Sequence, residues 1–257
     1  MLKIFKAELK KYKRTYGIYS FIAGCVGLYI MLMFMIGWDK VTLMNHDFMT
    51  RVFTETFGFA LKFLFPVGIG VLSYMISRID YKNWKLLYTF NLRAKYFWAK
   101  VFATMFFLFI TLILFGIGVT FLLLLKFHGF EEASLTSIFS VWTTLGVAFI
   151  LYFPLIILNT LLSTFMGLGP MLLSIAMVVI IGLEFTLKTS KLSILYNNWE
   201  FIPHFYLPKM IKFFEPFEIH YEFINIFSTK NLIILALSSI IIGLIGSIYF
   251  KKRQIKN

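Results

Sequence analysis

The stretch that decides the fold is residues 101–125, VFATMFFLFITLILFGIGVTFLLLL, a run without one charged side chain. Crossing roughly 30 Å of hydrocarbon takes about 20 apolar residues in a helix. Five residues upstream of it ends the stretch 81–95, YKNWKLLYTFNLRAK, which carries Lys82, Lys85, Arg93 and Lys95 and no acid. A long uncharged run halted by a cationic, aromatic one reads as a transmembrane helix leaving the bilayer.

Working outward, five more runs qualify: about Ile18–Ile36, Phe57–Ser77, Ile138–Leu162, Met166–Leu187 and Leu232–Phe250. Across its 257 residues the chain is 60% hydrophobic and 14% charged, against about 25% charge in soluble domains. Continuous rather than alternating apolar runs exclude a β-barrel, and in lipid each span must satisfy its own backbone. The expected fold is therefore an all-α membrane protein of six transmembrane helices, forming a single domain over residues 1–257. The first run is read as a retained helix. Its apolar part exceeds the usual 7–15 residues of a signal peptide, and no small-residue cleavage site follows it. The one cysteine, Cys25, lies in that span and allows no intramolecular disulfide.

Charge sets the orientation. With six spans the termini share a side, and positive residues mark the cytoplasmic face. The N-terminal segment, residues 78–100 and the tail together hold 16 basic residues against two acids, Glu8 and Asp80, while the other side holds 9 basic and 10 acidic residues. The net charge of +13 is thus concentrated on one face. Both termini are expected in the cytoplasm of a bacterial cell, with the basic face meeting an anionic inner leaflet rather than nucleic acid.

In residues 1–17, Leu2, Phe5, Leu9, Tyr12 and Tyr16 fall at helical spacing beside a stripe of Lys3, Lys6, Lys10 and Lys13, the pattern of an interfacial amphipathic helix. Residues 78–100 form a long cytoplasmic connection with no Gly or Pro to break a helix, in which Trp84, Leu87, Tyr88 and Asn91 fall on one face. Such a face either anchors at the interface or docks into a partner's groove. STFMGLGP, residues 163–170, reads as a tight internal turn. Residues 188–230 are external and too long for bare loop. Punctuated by Pro203, Pro208 and Pro216, they predict short helices, one over residues 209–215, packed over or dipping into the outer mouth.

Catalytic signals are lacking in the sequence. No Gly precedes a Lys, so there is no phosphate-binding G-x-x-x-x-G-K-[ST] loop, and no H-E-x-x-H or G-x-S-x-G is present. Glu218, His220 and Glu222 alternate without a helical ligand spacing and read as a solvated rim rather than a metal site. His204 reads as a hydrogen-bonding loop residue. No catalytic or metal-binding residue is assigned, and no cofactor is expected in this chain. Substrate-path candidates are Lys62, Glu184, Asn159 and Pro154. Lys62 and Glu184 lie near span ends within snorkelling reach, and Pro154 can kink the fourth span.

The layout as a whole resembles the membrane subunits of bacterial type-2 ABC exporters: six spans, a basic interfacial helix before the first, a coupling segment between the second and third, and a long outer segment before the sixth. Locally, Asp80, Leu86, Leu87, Arg93 and Lys100 are similar to the family's pattern of an acid, a hydrophobic pair, an arginine and a lysine opening span three. Asp80 stands where Glu is common, and Asn91 stands near the usual Pro. Length and the lack of an extra domain look most like bacitracin- or lantibiotic-immunity permeases and exporters of amphipathic toxic peptides. The resemblance implies a separate cytoplasmic ATPase using ATP and Mg²⁺. It would couple through Asp80, Trp84, Leu86, Leu87, Tyr88, Asn91 and Arg93. A second permease subunit, identical or a sister chain, is also implied. Two other readings stand beside it: a non-transporting immunity or sensor protein that sequesters a peptide, and an ATP-independent carrier.

Overall fold

The computed structural model describes residues 2–12, five positions between 19 and 27, 57–78, 93–126, 134–166, 168–182, 200, 202–207 and 229–252. Among these residues there is no strand. In chain order they form α1 (Leu2–Tyr12), a π-helical turn (Ala60–Leu64) leading into α2 (Phe65–Arg78), α3 (Arg93–Lys126), α4 (Ser134–Leu151), α5 (Phe153–Met166), α6 (Gly169–Gly182), a 3₁₀ turn (Pro203–Phe205) and α7 (Thr229–Lys252).

Among the described residues three continuous helices are long and apolar enough to cross a membrane: Phe57–Ser77, Ala94–Phe121 and Thr229–Lys251. A fourth crossing is available if Ile138–Leu151 and Phe153–Thr164, bent by 43° at their junction, are one broken span. These coincide with the second, third, sixth and fourth expected spans. The first expected span lies mostly outside the described residues. The described part of the fifth is α6, Gly169–Gly182, and the rest of that expected span lies outside the described residues.

One boundary differs from the sequence expectation. The third span does not start at Val101, because α3 begins at Arg93 and takes in residues 93–100 as its first two turns. RAKYFWAK contains no helix breaker, so helix propagation extends through it. At 34 residues, α3 is roughly 51 Å long, well over the hydrocarbon thickness. The tight turn expected at residues 163–170 is observed: α5 ends at Met166 and α6 opens on Gly169 and Pro170, where a proline lacking an N–H costs the helix nothing.

Between helices in lipid, close packing and buried hydrogen bonds replace the hydrophobic effect as the cohesive force. The core is accordingly a dense apolar cluster, including Phe57, Leu61, Phe65 and Ile69, α3's Phe97, Leu108, Leu112 and Phe115, and the Ala148–Ile157 region of α4 and α5. Phe115 stacks on Phe57 at 5.8 Å and meets Phe65 edge-on at 5.2 Å. α2 is central, packing on α3, α5 and α6. α7 lies at the edge, with Leu237, Ile241, Leu244, Ile245 and Ile248 exposed and Gly246 against the Phe97 ring.

The α2–α6 contact depends on Gly70. A Cβ there would lie 2.9 Å from the Pro170 carbonyl oxygen and 2.9 Å from the Ser174 hydroxyl, and backbone cannot move aside cheaply. Gly146, in α4, has nothing within 4 Å of an added Cβ. Gly70→Ala should therefore cost about 1–3 kcal/mol of stability, whereas Gly146→Ala should be neutral or stabilising by up to about 1 kcal/mol through helix propensity. Thermal unfolding of the two variants in one detergent makes the comparison, and equal midpoints would contradict the packing described.

Candidate functional site

Two connected features set the polar architecture of the bundle. The first is at the end where α2 stops and α3 starts. The last carbonyls of a helix have no intrahelical donor. Those of α2 at Ile76 and Ser77 accept hydrogen bonds from Lys100 Nζ at 3.2 and 3.4 Å. Lys100 is fully buried, and a cationic side chain at a helix C-terminus complements the helix dipole. Its Nζ also lies 5.5 Å from the centre of the Tyr96 ring. From the other side Lys11 donates to the Tyr96 hydroxyl and sits 4.8 Å over the same ring. Phe5 and Tyr12 of α1 meet Phe106 and Phe107 edge-on at 6.4 and 5.6 Å. Lys6 and Lys10 are exposed. Three helix ends are thus fastened at one node.

The second feature is a joint between two helix irregularities. Phe65 N–H bonds back to the Ala60 carbonyl, five residues earlier, in the π register. The Leu61 carbonyl would take its bond from Phe65 in an α register or from Pro66 in a π register. The first donor is committed elsewhere and the second has no N–H. The Tyr152 hydroxyl supplies the missing bond by donating to the Leu61 carbonyl. Tyr152 is the residue between α4 and α5, 2% exposed, with its ring stacked on Phe65 at 6.3 Å. Two residues on, Pro154 removes the N–H that would pair with Ile150, and there the fourth span bends by 43°. The kink expected from Pro154 is present, and the π turn of one span is held against it by a side-chain bond.

Beside α6, Pro203, His204 and Phe205 are buried and pack on α5 and α6. His204 Nε2 and the Ser174 hydroxyl share a hydrogen bond of 3.2 Å. Tyr206 donates to the Glu200 carbonyl at 2.8 Å, and the Glu200 carboxylate pairs with Lys230 at 2.6 Å. Residues 202–207, the described part of the connection before α7, thus pack into the bundle. The helix expected over residues 209–215 lies outside the described residues.

Of the sequence-derived candidates, Asp80, Trp84, Leu86, Leu87, Tyr88, Asn91 and Glu184 lie outside the described residues, as do Cys25, Glu218, His220 and Glu222. Arg93 is the first residue of α3. Lys62 is half-buried in the π turn. Pro154 and Asn159 are both buried in α5, and the Asn159 amide has no hydrogen-bond partner in the structure. Lys62 and Pro154 thus flank the joint from opposite spans. Among the described residues no group of three His, Cys, Asp or Glu side chains could hold a metal ion. Sequence reading did not single out Tyr152, which bonds at the joint, Tyr96 and Lys11, which meet at the node, or the buried Ser73. The repeated Phe-Pro pairs, Phe65–Pro66 and Phe153–Pro154, were the available sign that two spans break and need outside donors.

A lateral groove of about 530 Å³ opens between α1, α3 and α4, lined by Phe5, Ala99, Phe102, Met105, Phe106, Phe109 and Phe149. Its volume is within the range of small-molecule pockets, and its lining suits an apolar chain.

A family model described as "ABC-2 family transporter protein" matches residues 4–183, from α1 past the end of α6. No curated protein and no solved structure matches the chain.

The joint and the buried imidazole can each be measured. Tyr152→Phe keeps the ring and strands the Leu61 carbonyl, so it should cost about 1–3 kcal/mol of stability in thermal unfolding; an unchanged midpoint would mean the joint finds another donor. For His204, burial lowers the imidazole from 6.5 to about 4, so the folded chain holds it neutral at pH 7. Its contribution is complete above about pH 6.5 and is lost as pH falls toward 4, by up to about 3 kcal/mol. His204→Gln should flatten the fall in unfolding midpoint across that window, and parallel pH profiles for the two proteins would contradict the buried neutral ring.

Proposed function

The chain belongs to the ABC-2 family of transporter proteins, and from that premise we propose that it is the permease of an ATP-driven exporter for a hydrophobic or amphipathic peptide. Membership makes it a multi-pass membrane component that works with an ABC ATPase. The finer reading adds six spans with both termini in the cytoplasm. It also adds an interfacial α1 and a second permease subunit, identical or a sister chain. ATP and Mg²⁺ act on the partner.

The observation that carries the coupling mechanism is the Lys100 tie. Residues 79–92, which hold Asp80, Trp84, Leu86, Leu87, Tyr88 and Asn91, connect α2 to α3. Lys100 fastens the last turn of α2 to α3 just beyond that connection, and Tyr96 extends the fastening to α1 through Lys11. A push by an ATPase on the connection is then delivered to α2 and α3 together rather than absorbed by their separation. Along α2 the displacement reaches the π turn, where the Tyr152 bond passes it to the bend above Pro154. Lys62, on the π turn, is in position to meet a substrate that follows the same route. Glu184 is the second charged candidate for that route.

The peptide class is supported by the groove. Phenylalanine and methionine linings accept varied apolar shapes at little cost, and the neighbouring exposed lysines of α1 suit a ligand or lipid with an anionic end. The layout is in keeping with the bacitracin- and lantibiotic-immunity permeases. Sequestration without transport would not call for a fastened node at the α2–α3 connection.

Docking is tested by pull-down of the cognate ABC ATPase, normalised to membrane-inserted permease. Trp84→Ala with Leu87→Ala should lower recovery by roughly 30- to 1000-fold, the loss expected for buried interface anchors worth about 2–4 kcal/mol. Lys82→Ala and Lys85→Ala should cost about 0–1 kcal/mol and lose their effect at high salt. Normal recovery by the double variant would make the segment an interfacial anchor instead of a coupling helix.

A further inference from the structure

We propose that the seam between α2 and α5 contains a buried water-binding site formed by Ser73, Asn159 and Thr160. The two helices run parallel, since Leu61 meets Tyr152 near their starts and Ser77 meets Ser163 near their ends. Ser73 is one turn before Ser77, and Asn159 is one turn before Ser163. The register therefore sets Ser73 opposite Asn159, with Thr160 beside it. All three residues are 0% exposed. The Ser73 hydroxyl, both polar atoms of the Asn159 amide and the Thr160 hydroxyl have no hydrogen-bond partner in the structure.

Such a cluster is expensive in a bilayer. Each unsatisfied polar group in an apolar environment costs roughly 1–3 kcal/mol or more, and three apolar residues of similar size would avoid the whole cost. The amide offers two donors and acceptor capacity on its oxygen, and each hydroxyl both donates and accepts. A buried water takes two to four such partners, and this seam presents four polar atoms on facing helix turns. The seam is also continuous with the polar end of the bundle. The Ser77 hydroxyl contacts Ser163, Ser163 donates to the Thr160 carbonyl at 2.8 Å, and the Ser77 carbonyl accepts from Lys100. A row of hydrogen-bonding groups thus leads from the Lys100 node to Asn159. Water along it satisfies the seam and leaves α2 and α5 joined by exchangeable bridges, so the two helices can separate without stranding polar groups. The site is independent of the substrate and of the ATPase.

The test is magnetisation transfer from water in solid-state NMR of the chain in lipid bilayers, which reads water beside a group however deeply the group is buried. The Ser73 and Asn159 side-chain signals should build up several-fold faster than those of Ala148, an equally buried residue in the apolar core of α4. Ser73→Ala with Asn159→Leu, which removes the partners of the water, should slow these rates at Thr160 to the rate at Ala148. Equal build-up at Asn159 and Ala148 in the unaltered chain would overturn the proposal. Loss of ATPase docking without a change in these rates would count against the permease reading alone.

Discussion

A peptide carbonyl inside a bilayer must find a donor, and in this bundle the Leu61 carbonyl finds it in the Tyr152 hydroxyl. Water cannot fill that role at large in hydrocarbon. The π register and Pro66 together remove both backbone donors, so the second span can hold its irregular turn only while Tyr152 stands beside it. Tyr152 in turn stands there because the fourth span breaks just ahead of Pro154. Two helices that would each be penalised alone are stable as a pair. This is a joint of fixed chemistry and adjustable angle, since a hydroxyl on a ring tolerates more rotation than a backbone ladder.

The same constraint explains how the few polar residues are used. Lys100 closes the carbonyls at the end of α2, Thr104 and Thr111 bond the carbonyls of Lys100 and Phe107, and Ser174 meets His204. These groups repair or cap backbone and position neighbouring segments. Such economy fits a transporter component whose working force is applied from outside. On the coupling proposed above, the fastened node is the part that would carry that force from one end of the bundle, and the joint the part that would turn it into bending of the fourth span. The Ser73–Asn159 seam is the exception, a polar cluster that repairs no helix end.

Much of this is legible in the sequence. Continuous uncharged runs such as residues 101–125 and 232–242 report helices with little ambiguity, because lipid leaves so few alternatives. Pro154 announces the bend. The start of α3 is misplaced when charge is read as the end of the helix, because only the hydrocarbon ends there; RAKYFWAK is as good a helix as the apolar run on its C-terminal side. Tyr152 and Tyr96 are invisible for a different reason. Their roles depend on partners 91 and 85 residues distant, and nothing in a local pattern records which carbonyl or amine will arrive. Asn159 can be singled out by type but not by consequence, because its neighbours across the seam come from another span.

The central claim is that this chain moves cargo on energy released elsewhere. It is tested most directly by measuring ATP hydrolysis in proteoliposomes containing the purified chain alone, the partner ATPase alone and the two together. The account predicts no hydrolysis above a protein-free blank for the chain alone, in keeping with a sequence that has no phosphate-binding loop. It predicts turnover for the assembled pair that depends on Mg²⁺ and changes when Lys100 is replaced by Met. Hydrolysis that persists in the chain after every other protein has been removed would contradict it.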